Sequence, residues 1–361
     1  MSNENEILVQ SWSPVSNIQA FAEAAEDHVY FYLWIHPGSE YASVRSCWVC
    51  NTRKAPAELD LQAMEDGRAP MMPAEFCTHP EGVEPPSEES LEIVWFEEGD
   101  AAALVQDGSL LAVIPGWSGD GFYGYSRYCA KEGPFAWPLR EAEPVLAART
   151  EASRRFWASF DESTWPEVQQ GQLQALESYL GSPHEKYFAI DGGEWPPKAL
   201  ITARSGAVQY AFTIGVGLIP QPRVEEQHQE EAPLFRRIEL AFAKEDQAPG
   251  DWMAMLSYLS GQSGLPWGQL TWLGHGHTLP CDLLPGFEAL LFVNAHVLPG
   301  LPSPELPPIH GERINLLWAV PITGEEYTAA REKGSHTLIE QYKGDLRVLP
   351  VFSGKAKFIG N

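Results

Sequence analysis

The sequence predicts an α+β fold of two domains, each a mixed or antiparallel β-sheet flanked by helices. Three observations lead there. Glycine and proline supply 31 and 30 of the 361 residues and fall in short clusters between apolar runs, which punctuates many short strands. Helical spacing is confined to a few segments set beside those strands. The length exceeds one average domain and allows two, each able to bury its own core.

Composition narrows the function classes. Hydrophobic residues make 44% of the chain and aromatics 11%, with thirteen tryptophans, so disorder is excluded. Lys and Arg number 24 against 49 Asp and Glu, for a net charge of −25. Residues 1–150 hold 8 basic against 24 acidic side chains, so the excess is not confined to one end. Nucleic acid is not an expected partner, because phosphate binding needs clustered cations and the chain offers only isolated pairs such as Arg154-Arg155 and Arg236-Arg237. An acidic surface suits steering toward a basic partner. The stretch Gly206 to Pro222 is uncharged but too short and interrupted to span a bilayer, and no membrane segment is expected. The start Met1-Ser2-Asn3-Glu4 lacks the basic and apolar parts of a signal peptide, and the five cysteines read as reduced thiols, so the expected location is the cytoplasm. No cofactor is expected.

Along the chain, His28 to His36, Leu91 to Phe96 and Leu110 to Ile114 read as strands rich in aromatic and β-branched residues. The proline-rich stretch Pro70 to Glu89 reads as an ordered loop or surface meander. These features define a β-rich domain over residues 1–145, followed by a connecting helix over 146–162 and a second domain over 163–361. In the second, Thr164-Trp165-Pro166-Glu167 has the form of a capping box, Leu173, Leu176 and Leu180 form one apolar face, and Gly181 sits at the C-terminal cap. Tyr187 to Ile190 and Lys198 to Ala203 flank the turn Asp191 to Pro197. Ala207 to Ile219 and Leu234 to Ala243 form a strand pair around an acidic loop. A helix runs from Asp251 to Ser260, strands follow at Glu288 to Leu298 and Ile314 to Ile322, and Thr323-Gly324-Glu325-Glu326 caps a last helix with a break at Gly334.

Several constellations invite chemistry. Cys47 and Cys50, with Cys77 and His79 further on, have zinc-ligand residue types. Their segment lacks a turn residue, and a strand would send Cys47 and Cys50 to opposite faces, so buried free thiols are expected there rather than a zinc site. His275 and His277, within Gly274-His275-Gly276-His277, share a face if the segment is extended; a metal or acid/base site and a tight backbone crossing are both open. Ser118 in Gly116-Trp117-Ser118-Gly119-Asp120 misses the nucleophile elbow, because Asp120 stands where the sharp turn needs glycine. Glu225, Glu226, Glu230 and Glu231 surround His228 as a solvated hairpin tip or as a lip for a basic partner. Trp195 and Trp267 fall in apparent loops and resemble exposed interface anchors.

The segments Tyr187 to Pro197, Arg236-Arg237-Ile238-Glu239-Leu240, Gly261 to Trp267, Thr271 to Pro280 and Ile314 to Thr323 together resemble the suppressor-of-fused domain. The part before them, with Ser46-Cys47-Trp48-Val49 and Ile114 to Gly119, resembles the extension of its longer bacterial members. The resemblance implies a non-enzymatic protein binder with an α+β domain. In the animal member a peptide of a transcription factor is clamped between two domains, partly by strand addition, and bacterial relatives are proposed immunity proteins that neutralise a toxin domain. Here the extra domain precedes the shared one. The expected partner is therefore a protein, a toxin domain or peptide of basic charge, met by Glu225, Glu226, Glu230, Glu231, Trp195, Trp267, His275 and His277. The alternatives are a metal-assisted or serine hydrolase using His275, His277 or Ser118, and a scaffold with no dedicated partner.

Overall fold

Antiparallel pairing of neighbouring strands dominates the computed structural model, which describes residues 5–119 and 121–359. Contacts divide the chain between Phe160 and Asp161 into two compact units. The fold is α+β, with several sheets and helices set against them.

In the first unit β1 (Glu6–Trp12), β2 (Ile18–Ala24), β3 (His28–Ile35) and β4 (Ser43–Asn51) make one antiparallel sheet in chain order. A short helix, α1 (Leu61–Glu65), precedes a second sheet of β5 (Leu91–Trp95), β6 (Ala102–Gln106), β7 (Ser109–Ile114), β8 (Tyr125–Ser126) and β9 (Trp137–Pro138). Helix α2 (Leu139–Ala158) places Leu139 and Leu146 in a core with Val94, Phe96 and Val113. The proline-rich stretch is pinned from beneath. Buried Asn51 accepts the Met72 N–H and donates to the Met72 carbonyl, while the Trp48 indole donates to the same Asn51 oxygen. All five cysteines are free and buried.

The second unit opens with α3 (Thr164–Leu180), whose start differs in register from the sequence reading. Asp161 and Thr164 bond reciprocally before the helix: the Asp161 carboxylate accepts the Thr164 N–H at 3.2 Å, and the Thr164 hydroxyl accepts the Asp161 N–H at 3.1 Å. The N-cap of α3 is Ser163, which makes no side-chain cap bond, so Thr164 is the first helical residue and the Asp161–Thr164 pair closes the turn ahead of the helix. The central sheet runs β10 (Lys186–Ala189), β11 (Ala199–Ser205), β12 (Val208–Ile214), β13 (Ile238–Glu245), then β16 (Asn315–Ile322), β15 (Ala289–Asn294) and β14 (Thr278–Pro280). Strands β13 and β16 are parallel, with Ile238 opposite Asn315, and the short β17 (Val351–Phe352) extends the same side of β13.

Side-chain alternation gives this sheet two apolar faces. On one, Leu176 and Leu180 of α3 join Phe212, Trp318, Leu338 and Ile339. On the other, Phe242 meets Trp252 of α5 (Trp252–Gln262) and Phe352. Asp251 caps α5 by accepting the Met253 and Ala254 N–H groups. The last helix is two, α7 (Gly324–Lys333) and α8 (Ser335–Glu340), parted at Gly334 by a φ of +87°. Among the described residues no helix is long and apolar enough to cross a membrane.

Candidate functional site

The connection from β12 to β13 carries the acidic residues, and it is helical rather than a hairpin tip. Helix α4 (Val224–His228) is followed by a 3-10 stretch, Gln229–Leu234. Val224 and Ala232 are buried and hold the segment down, while Glu226, Glu230 and Glu231 face solvent and Glu225 is half-buried. The Arg223 Nε donates to Glu226 at 2.6 Å. Arg223 and Gln229, with φ of +62° and +45°, lie at the two ends of α4 in a conformation that non-glycine residues seldom adopt.

The same segment supplies one wall of a ring assembly. The His228 imidazole stacks on Phe235 with centroids 4.1 Å apart and meets Trp272 edge-on at 5.2 Å. Trp272 in turn lies 4.3 Å from the His277 ring. These side chains, with His275, Asn294 and His336, line a cleft of about 380 Å³. Gly274 is required there, since a Cβ on it would sit 2.3 Å from the Trp272 ring. Gly276 turns the chain at φ +85°, where an L side chain is strained.

That turn is a backbone crossing as well as a histidine pair. The Gly276 N–H donates to the Phe292 carbonyl, and the Phe292 N–H to the His277 carbonyl, both at 2.8 Å, which stitches the segment to β15. His275 Nδ1 accepts the Asn294 N–H at 3.1 Å, and His277 Nδ1 donates to the Trp272 carbonyl at 3.1 Å. Burial holds both imidazoles below the ordinary value of 6.5, helped for His275 by the neighbouring His277 and opposed for His277 by its bond to Trp272. Burial lowers His228 as well, against the opposing charge of Glu231. Near pH 7 His228, His275 and His277 are thus neutral rings, and the segment that brings His228 to the cleft is the one that carries the glutamates.

The other candidates lie elsewhere. Trp195 is 43% exposed on the turn after β10, where Asp191 accepts the Gly193 and Lys198 N–H groups, and it does not line the cleft. Trp267 is no exposed anchor. Pro266 starts a short helix, α6 (Leu265–Gln269), which turns Trp267 inward to 4% exposure, where its indole donates to the Pro220 carbonyl. Ser118 is buried in the first unit, its hydroxyl has no hydrogen-bond partner among the described residues, and Asp120 lies outside them. Cys47 and Cys50 are both buried on β4. Among the described residues no three His, Cys, Asp or Glu side chains are arranged to hold a metal ion. Phe235, Asn294 and the place of His228 against Trp272 were not read from the sequence; the one signal was Trp272, two residues before the Gly274 to His277 stretch.

The family model described as Suppressor of fused protein (SUFU) matches residues 198–351. That stretch is similar to the SUFU family. It begins beside β11, ends on β17 and contains His228, Trp272, His275 and His277, so the cleft belongs wholly to the SUFU span. Among solved structures, one titled "the Sufu-Fu complex crystal structure" is similar over 52% of this chain and 91% of that one, at 14% identity and a TM-score of 0.36. A score that low carries no argument about this chain. No curated protein matches the sequence.

Proposed function

We propose that this chain is a non-enzymatic protein-binding module that acts in the cytoplasm as an immunity factor, neutralising a toxin domain of basic charge. One observation carries the reading: the short helical segment that displays Glu226, Glu230 and Glu231 to solvent also builds, through His228, a wall of the aromatic cleft. A negative rim speeds encounter with a cationic partner, and a ring-lined recess beside it supplies the desolvated contacts that hold one. The net charge of −25 and the SUFU match over the cleft support it. In this reading Glu225, Glu226, Glu230 and Glu231 steer, His275 and His277 make the buried contact, and Trp195 is a separate exposed contact.

The test is affinity capture on the immobilised chain from its native lysate at low and moderate salt, followed by co-expression of the captured protein with and without the chain. Retention of one basic protein, whose toxicity the chain relieves, is the expected result. No specific retention in either salt would favour the scaffold reading. Stoichiometric zinc lost in His275→Ala would favour the metal-assisted hydrolase.

A further inference from the structure

We propose that His275 and His277 form a matched donor and acceptor pair that binds one carboxamide group of the partner, an inference that rests on the protein-binding reading above. Each ring has its Nδ1 committed to the backbone, and the two commitments differ in kind. Asn294 presents an N–H to His275, so that Nδ1 is the lone-pair nitrogen and the proton of the neutral ring sits on Nε2. Trp272 presents a carbonyl oxygen to His277, so there the proton sits on Nδ1 and Nε2 is the lone pair. The backbone has fixed opposite tautomers two residues apart.

Among the described residues neither Nε2 takes part in a hydrogen bond or counts among the sealed buried atoms, and both residues line the cleft. The site therefore offers one N–H donor and one lone pair beside the Trp272 ring. An amide is the complement: its carbonyl takes the His275 proton and its N–H meets the His277 lone pair. A carboxylate would set its oxygens against the lone pair, and an ammonium or guanidinium would set a proton against the His275 N–H. Partner cations are thus left to the acidic rim, and the cleft takes a neutral planar group, which packs on an aromatic face. The amide could come from an Asn or Gln side chain, where C=O and N–H lie on one edge, or from the trans peptide backbone, where they point apart.

Long-range proton–nitrogen NMR on the ¹⁵N-labelled full chain at neutral pH tests this without a mutation. The expected spectrum has His275 protonated on Nε2 and His277 on Nδ1. Acetamide should move both Nε2 signals, and methyl acetate, which only accepts, should move His275 alone. An equal response to N-methylacetamide would show that the backbone's opposed C=O and N–H suffice, and a response confined to acetamide would assign the amide to Asn or Gln; both uphold the pair. Identical tautomers on the two rings, or Nε2 signals unmoved by acetamide and N-methylacetamide alike, would overturn it. A basic protein still held by the column in that case would leave the protein-binding reading standing while removing this one.

Discussion

The Glu326 carboxylate, wholly buried at the start of α7, accepts the backbone N–H of Phe358 at 2.7 Å. The same oxygen accepts the Lys357 and Ile359 N–H groups at 3.1 Å, while the other closes the capping box on the Thr323 N–H at 2.9 Å. One side chain therefore caps a helix and clasps the C-terminal segment. Glu326→Ala strands these donors, and a cost of about 3 kcal/mol follows from leaving several buried groups unpaired. Urea denaturation should show the midpoint fall with little change in slope, and Glu326→Gln should recover part of the loss.

The thiols set an alkaline limit. Burial raises Cys50 and Cys129 to about 12 and Cys77 to about 11, above the ordinary 9.0, and pushes Cys47 and Cys281 up as well. Because the folded values are the raised ones, their stabilising effect is complete below pH 9 and is lost as the pH climbs from there toward 11 and 12. Unfolding midpoints should hold up to about pH 9 and fall beyond it. Ellman's reagent should find no fast-reacting thiol in the native protein and all five after denaturation.

An acid limit comes from the imidazoles. Burial lowers His228, His275, His277, His296 and His310 below 6.5. A base with a depressed folded value binds its proton first in the unfolded chain, so stability is present above 6.5 and declines as pH falls through the window beneath it. Denaturation between pH 7 and about 5 should show this slope, and a His275→Gln/His277→Gln double variant should flatten it.

Charge reversal on the rim separates steering from contact. Glu226→Lys/Glu230→Lys/Glu231→Lys should leave the fold intact, since all three side chains face solvent. Surface plasmon resonance against the captured partner should show association slowed roughly tenfold at low salt, with most of the difference gone at high salt. An unchanged association rate would place the contact elsewhere.

Much of the architecture was legible because local signals agreed with the global fold. The Thr323 and Glu326 box, the Gly334 break and the helix that follows Asp251 stand where spacing put them. Misreadings arose where tertiary contacts outweighed local pattern. The acidic stretch looks like a hairpin tip, but buried Val224 and Ala232 anchor it as helical turns. Nor did the sequence show that in the isolated pair Arg236-Arg237 the second arginine is wholly buried and both donate to Glu312. The histidine pair was visible, but its surroundings were not: Phe235, Trp272 and Asn294 come from separate segments that only the folded sheet brings together.

The parallel alignment of β13 with β16 fixes when this unit can first take shape during synthesis. Ile238 waits for Asn315, and until that strand leaves the ribosome the flank of β13 is an open hydrogen-bonding edge. Asn315, joined side chain to side chain with Asn294 at 2.9 Å, lines the cleft together with Leu317, so a chain stopped before β16 would carry the acidic segment beside an unfinished recess.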